Sequence, residues 1–279
     1  MREMSESTVY HVIAYYWQDF KPVVLIYNLK TRQLSELPLT FIDFTASASK
    51  SCVGRLTEAG YTPCPQQIVL TDAALCADCR PPAIPVMSCV FEPRCDGERC
   101  DYPDFCTRPH IVYLALYNNL PKVGMTSQKR FKERIIEQGA DAAAVLFNCE
   151  NRLAARKLEK EVSTRFKIAQ EIKPQRLLKQ WLSAPTKEQM VNVYQTYLQK
   201  INAWQTTLKQ ELTIFDQYPF HQRPRSPPRL VKTAGHHRGE VMGIKGRFLI
   251  YYTPSGAKAL EMSDLVGRSI TPATNDDSK

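Results

Sequence analysis

Four side chains between residues 110 and 166, Tyr113, Lys122, Arg134 and Glu159, offer a phenol, two cations and a carboxylate that could together handle a phosphodiester. Its cleavage needs an activated water, stabilisation of a phosphorane-like anion and help for the departing oxygen. Glu159 could hold one divalent cation, Mg2+ or Mn2+, to supply part of that charge. Arg134, always cationic and able to fork onto two oxygens, could grip the scissile phosphate. Tyr113 or Lys122 would activate or orient the water, and either needs a depressed pKa to act as its base.

A second chemistry is written in thiols. Eight of the nine cysteines fall between Cys52 and Cys106, among many prolines and with little apolar periodicity to build a core. A structural Zn2+ is the economical way to hold such a segment, because thiolate sites contribute folding energy directly. Cys76 and Cys79 form a CxxC knuckle, with Cys64 upstream of it and Cys52 as a candidate to complete the set. A second quartet is Cys89, Cys95, Cys100 and Cys106, in which His110 could replace one thiol, although a place in the packing or at the rim of the active site suits it better. Closed all-cysteine sites leave no open position for substrate, so this zinc is expected to be structural.

The elements that must position the first set follow from periodicity. IVYLALY and KVGMT read as two strands joined by Asn118, Asn119 and Pro121. A helix follows, capped by Ser127, with Phe131, Ile135 and Ile136 as its apolar stripe. A second helix begins near Glu150, where Ala155, Val162 and Phe166 share a face with Glu159.

This arrangement resembles the nuclease superfamily named for its GIY and YIG tripeptides. Ile111, Val112 and Tyr113 stand where that family has its first tripeptide, and Lys122, Val123 and Gly124 where it has the second. The resemblance implies the roles given above for Tyr113, Arg134 and Glu159. Two positions depart from it: Lys122 replaces a tyrosine, and Gln138, which cannot titrate, replaces a histidine or tyrosine four residues after the arginine. Nearly the whole chain also resembles an uncharacterised bacterial family catalogued as domain of unknown function 2797. The blocks are the cysteine-rich segment running into HIVYLA, then KVGMT, EQGA, NRLAARKLE and GIKGRFLIY. That family shows a second cysteine where Gln67 stands, so the first zinc site is either three-thiolate or lost unless Cys52 joins it.

The formal charge of +9 suggests a polyanionic partner. From Lys122 to Lys179 there are 14 Lys and Arg against 7 Asp and Glu, so most of the excess lies beside the candidate phosphate site. Nucleic acid, DNA or RNA, is the expected partner, with Lys129, Arg130, Lys132, Arg152 and Arg156 as backbone contacts. The N-terminus lacks the continuous apolar core of a signal peptide and no stretch is long enough to cross a bilayer. A cytoplasmic protein with reduced thiols and no membrane partner is expected.

The resulting expectation is an α+β protein with a small antiparallel sheet flanked by helices, a cysteine-rich zinc-binding segment and flanking β elements. It divides into an N-terminal β region (1–51), the cysteine-rich segment (52–109), the nuclease-like core (110–182), an amphipathic helix (183–215), a basic proline-rich linker (216–240) and a C-terminal hairpin and tail (241–279). The helix should open on a Thr186–Gln189 capping box and carry Met190, Tyr194, Tyr197, Ile201, Trp204 and Leu208 on one stripe, packing on the sheet or on a second protomer. In the linker His221, His236 and His237 are expected to be solvated. Three functions are weighed: a divalent-metal-dependent nuclease, a zinc-containing nucleic-acid-binding module without catalysis, and a protein-interaction scaffold using the Thr186–Leu212 helix.

Overall fold

The structure, a computed structural model, describes residues 8–71, 73–81, 89–90, 92–97 and 103–273. It is a sheet-rich α+β protein of two compact units. One combines residues 1–80 with 219–279, and the other is the intervening 81–218.

The first unit begins with β1 (Tyr10–Gln18) and β2 (Lys21–Asn28), a hairpin whose turn uses Asp19 at φ 50°. Short β3 (Leu34–Glu36) and long β4 (Phe41–Ser51) follow, then the β5 (Arg55–Thr57) and β6 (Gly60–Thr62) hairpin and the two-residue β7 (Val69–Leu70).

The second unit contributes β8 (His110–Tyr117), β9 (Leu120–Ser127), β10 (Ala142–Cys149) and β11 (Thr213–Ile214), a sheet in the order β11-β10-β8-β9. Its helices are α1 (Phe131–Gln138), α2 (Arg152–Phe166), α3 (Pro174–Lys179) and α4 (Lys187–Trp204). The first unit then resumes with β12 (Arg229–Leu230), β13 (Gly235–Lys245), β14 (Phe248–Thr253), β15 (Gly256–Glu261) and β16 (Arg268–Pro272).

The two β regions that the sequence separates as 1–51 and 241–279 share one ten-stranded sheet, ordered β12-β15-β14-β13-β4-β16-β1-β2-β3 with β7 added to β4. β4 lies between β13 and β16. The proline-rich stretch 216–240 is therefore linker only in part, because β13 already begins at Gly235. His237, expected in solvent, is 3 % exposed, held between the Tyr251 hydroxyl at 3.0 Å and the Thr233 carbonyl at 2.9 Å.

In the second unit, β8 is buried along its whole length. Val112, Leu114 and Leu116 join a core with Ala155 and Val162 of α2 and Met190, Tyr194 and Ile201 of α4. By strand alternation Ile111, Tyr113, Ala115 and Tyr117 turn to the other face, where Phe131 of α1 meets the Tyr113 ring edge-on at 5.6 Å. β10 has no period of its own: Ala142–Phe147 is an unbroken apolar run, and its pairing with β8 makes it a strand.

Local signals set the helix ends. Ser127 stands before a short 3-10 turn and makes no side-chain cap, whereas Asn151 caps α2 by accepting from the Ala154 amide at 2.8 Å. The Thr186–Gln189 capping box is present in both directions, at 3.1 and 3.2 Å. α4 stops at Trp204 rather than at Leu212, because the following chain turns alongside β10, where the Leu208 amide donates to the Leu146 carbonyl at 2.9 Å. Met190, Tyr194 and Ile201 are covered by the unit's own sheet, which leaves that part of the stripe no surface for a second protomer. No helix among the described residues is long and apolar enough to cross a membrane.

Candidate functional site

In the second unit Tyr113 and Lys122 come together at Gln138, and of Tyr113, Lys122, Arg134 and Glu159 only Glu159 lines the cleft described below. The β8–β9 register sets Tyr113 opposite Gly124 and Ala115 opposite Lys122, so Lys122 stands diagonal to Tyr113 on the same face of the sheet. Gly124 is required there: a Cβ at this position would lie 2.5 Å from the Tyr113 ring carbon that bears the hydroxyl. α1 closes over that face and ends at Gln138, where Gly139 adopts φ 73° and its amide satisfies the Ile135 and Ile136 carbonyls at 3.0 Å.

Gln138 Oε1 is the hub. It accepts from Lys122 Nζ at 2.7 Å, from the Tyr113 hydroxyl at 3.1 Å and from the Tyr117 hydroxyl at 3.4 Å. Burial pushes the Tyr113 phenol up to about 12, against the pull of the Arg134 guanidinium and reinforced by the Glu159 charge. At neutral pH Tyr113 therefore keeps its proton; it can donate and orient but not abstract. Arg134 itself is half exposed and pairs with Glu137 at 3.3 Å.

Glu159 lies on the inner face of α2, 5 % exposed. Burial raises its carboxyl above the ordinary range, while Arg156 and then Lys122 pull it down. Arg156 Nη1 donates to its Oε2 at 2.6 Å. The same guanidinium reaches Gln170 at 2.8 Å and Glu92 at 3.0 Å, and Lys160 also holds Glu92, at 2.5 Å. These bonds keep the Glu92 carboxyl below its usual range.

Glu159 opens into a cleft of about 330 Å³ that arginines dominate: Arg108, Arg130, Arg152 and Arg156, with His110 in the wall. His110, a rim residue in the sequence reading, donates through Nδ1 to the Arg108 carbonyl at 2.7 Å, and burial holds it below its ordinary pKa. The five expected backbone contacts divide. Arg152 is 6 % exposed, donating to the Cys89 carbonyl at 2.6 Å and to the Val90 carbonyl while its guanidinium lies 4.7 Å from the Phe105 ring centre. Arg152 therefore anchors the cysteine-rich loop, and Arg156 is committed to Glu92, Glu159 and Gln170. Arg130 bonds Glu133 at 3.1 Å and Glu137 at 2.9 Å. Lys129 and Lys132 are exposed.

One carboxylate is a sparse site for a divalent ion, but Mg2+ commonly uses one or two carboxylates together with substrate phosphates. Glu159 is the carboxylate that lines the cleft, and Arg156 occupies it.

The thiols gather in the first unit. Cys52, Cys64, Cys76 and Cys79 are all buried, and their sulfurs lie within 4.8 Å of one another. Such a set could bind a structural zinc. Cys52, the outlier by spacing, is the member that completes it. Cys64, with its sulfur facing backbone amides of Ile68 and Gln66, is lowered to about 7 despite its burial, while burial beside the other thiols pushes Cys79 up to about 12. Cys89, Cys95 and Cys106 form no second ligand group among the described residues, and Cys100 lies outside them.

No curated protein and no solved structure matches the chain. A family model described as "Protein of unknown function (DUF2797)" matches residues 41–268, a span that takes in the thiol cluster, the cleft and most of the ten-stranded sheet. By that match the chain belongs to the DUF2797 family.

Proposed function

We propose that this protein is a divalent-metal-dependent nuclease acting on DNA or RNA, with a GIY-YIG-like core formed by β8, β9, α1, β10 and α2. The observation that carries this reading is the cleft onto which the buried Glu159 opens, walled by Arg108, Arg130, Arg152 and Arg156.

The backbone of a nucleic acid enters the cleft and exchanges its phosphate oxygens for the carboxylates that now occupy the arginines. Arg156 moves from Glu159 to the phosphate or to Gln170, which frees the carboxylate. A divalent ion at Glu159 would then supply charge for the phosphorane-like anion. Arg134 grips the scissile phosphate through two N–H groups. Tyr113, still protonated, orients the attacking water, which gives its proton to solvent as the new P–O bond forms and the old one breaks, the departing oxygen taking its proton from solvent, and Lys122 adds positive charge beside it. Lys129 and Lys132 hold the flanking backbone.

A specific observation favours a second reading, binding without cleavage: Gln138 accepts from both Tyr113 and Lys122 and turns their protons away from any substrate. One experiment separates the two. Purified protein is incubated with plasmid, single-stranded DNA and RNA in Mn2+ or Mg2+ and then in chelator, alongside Glu159→Gln. The nuclease reading expects metal-dependent cutting that falls by at least about 100-fold in the variant while its melting temperature is kept. Salt-dependent binding with no cutting selects the binding module, and unchanged turnover in Glu159→Gln overturns the assignment of the ion to that carboxylate.

A further inference from the structure

We propose that Cys52, Cys64, Cys76 and Cys79 form a closed tetrathiolate site for one zinc ion, with Cys52 supplying the ligand that a conventional double knuckle would take from position 67. A tetrahedral ion with bonds of about 2.3 Å places its sulfurs roughly 3.8 Å apart. Cys64 Sγ and Cys76 Sγ are 3.9 Å apart, and no pair in the group exceeds 4.8 Å.

The backbone is arranged for sulfur in its ligand form. The Cys76 amide points at Cys52 Sγ at 3.3 Å, the Gly54 amide also faces that sulfur, and the Gln66 and Ile68 amides face Cys64. In both cases the amide two residues after the cysteine turns back on its sulfur, so Cys52 and Cys64 are presented by the same kind of tight turn. Amide donors converging on sulfur stabilise negative charge there, which a metal ligand carries and a buried thiol does not.

The turn at Cys52 is built for close approach. Gly54 sits at φ 75°, and a Cβ on it would lie 2.3 Å from the Thr62 carbonyl oxygen and 2.8 Å from the Cys64 amide nitrogen. Only glycine lets the 52–54 turn press against the 62–64 turn, and that contact brings the two sulfurs together. Gln67 keeps the turn of the missing ligand: its φ is 45° and its amide donates to the Cys64 carbonyl at 3.3 Å. Cys52 directly follows β4, and its amide donates to the Ile68 carbonyl at 2.9 Å. The ion therefore ties the CxxC knuckle to a central strand of the ten-stranded sheet rather than closing an isolated loop.

The test uses the full chain, Cys52→Ser, Cys52→His and, as a control outside the cluster, Cys149→Ser. Metal content is measured after dialysis against a zinc chelator, and Co2+ replaces zinc to report the thiolate count by its absorption bands. Cys52→Ser is expected to hold one metal ion fewer per chain at a chelator strength that leaves wild type and Cys149→Ser loaded, and Cys52→His to retain the ion with shifted cobalt bands. Alkylation of the wild-type protein, mapped by peptide mass, covers the case in which Cys52→Ser does not fold: all four thiols should become reactive together only when the metal is stripped. Unchanged metal content and cobalt bands in a folded Cys52→Ser, or alkylation of Cys52 at the same rate with and without zinc, would overturn the proposal.

Discussion

Adding one methyl group at Gly124 should displace the residue at the centre of the proposed site. The new Cβ of Gly124→Ala would meet the Cζ and hydroxyl oxygen of Tyr113 at 2.5 Å, whereas carbon atoms pack comfortably at about 3.5 Å, so the ring must retreat by about 1 Å. Overpacking of this kind costs about 1–3 kcal/mol. Loss of the Tyr113–Gln138 hydrogen bond adds about 1 kcal/mol. Removing glycine from a strand returns about 0.5–1 kcal/mol through the unfolded chain. The net expectation is a destabilisation of about 2 kcal/mol. Urea denaturation in a Trp17→Phe background leaves Trp181 and Trp204, both in the second unit, to report its unfolding. Tyr113→Leu removes the opposing ring atoms, so in that background Gly124→Ala should cost less, with a coupling of about 1–2 kcal/mol. A coupling below about 0.5 kcal/mol, or a neutral Gly124→Ala, would refute the claimed contact between strand register and ring position.

Two further outcomes are expected. Arg152→Met should lower the stability of the second unit by about 3 kcal/mol, because the carbonyls of Cys89 and Val90 lose a charged donor in a buried setting, and the urea midpoint of the second unit reads it directly. His237 has its pKa depressed below 6.5, first by burial and then by the charges of His236 and Lys258, with the Thr233 carbonyl opposing them. The unfolded chain then binds the proton more readily, so the stability of the first unit should be full above the unfolded value and fall as pH drops through 6.5 toward the folded value. His237→Gln should lessen that decline, the remainder coming from His11 of the same unit, which burial also holds below 6.5, and denaturation midpoints across the range would record the difference.

What could be read in the chain was local. β8, β9, α1 and α2 carry their periodicity within short windows, and the capping box at Thr186 is spelled by two residues. β10 could not be read, since an unbroken small apolar run suits a buried strand or a helix equally until its partner is known. The pairing of β4 with β13 and β16 joins segments about 190 or more residues apart, a register set by contacts that no local window contains. The inward turn of Arg152 and Glu159 was partly visible, because both share helical spacing with Ala155 and Val162, yet a basic helix invites the assumption of a solvated face. Cys52 was a distant candidate by spacing; its proximity depends on the left-handed turn at Gly54.

The insertion of residues 81–218 into the first unit sets an order of events on the ribosome. β4 emerges early, yet its neighbours β13 and β16 are translated only after the whole second unit. At about 5–20 residues per second that interval is on the order of tens of seconds. During it β4 has only its β7 partners, at Lys50 and Ser51, and the rest of its edges stay unpaired in a nascent chain, while the second unit has every strand of its own sheet and can fold first. β16 is the last strand to arrive, and it closes the sheet between β4 and β1.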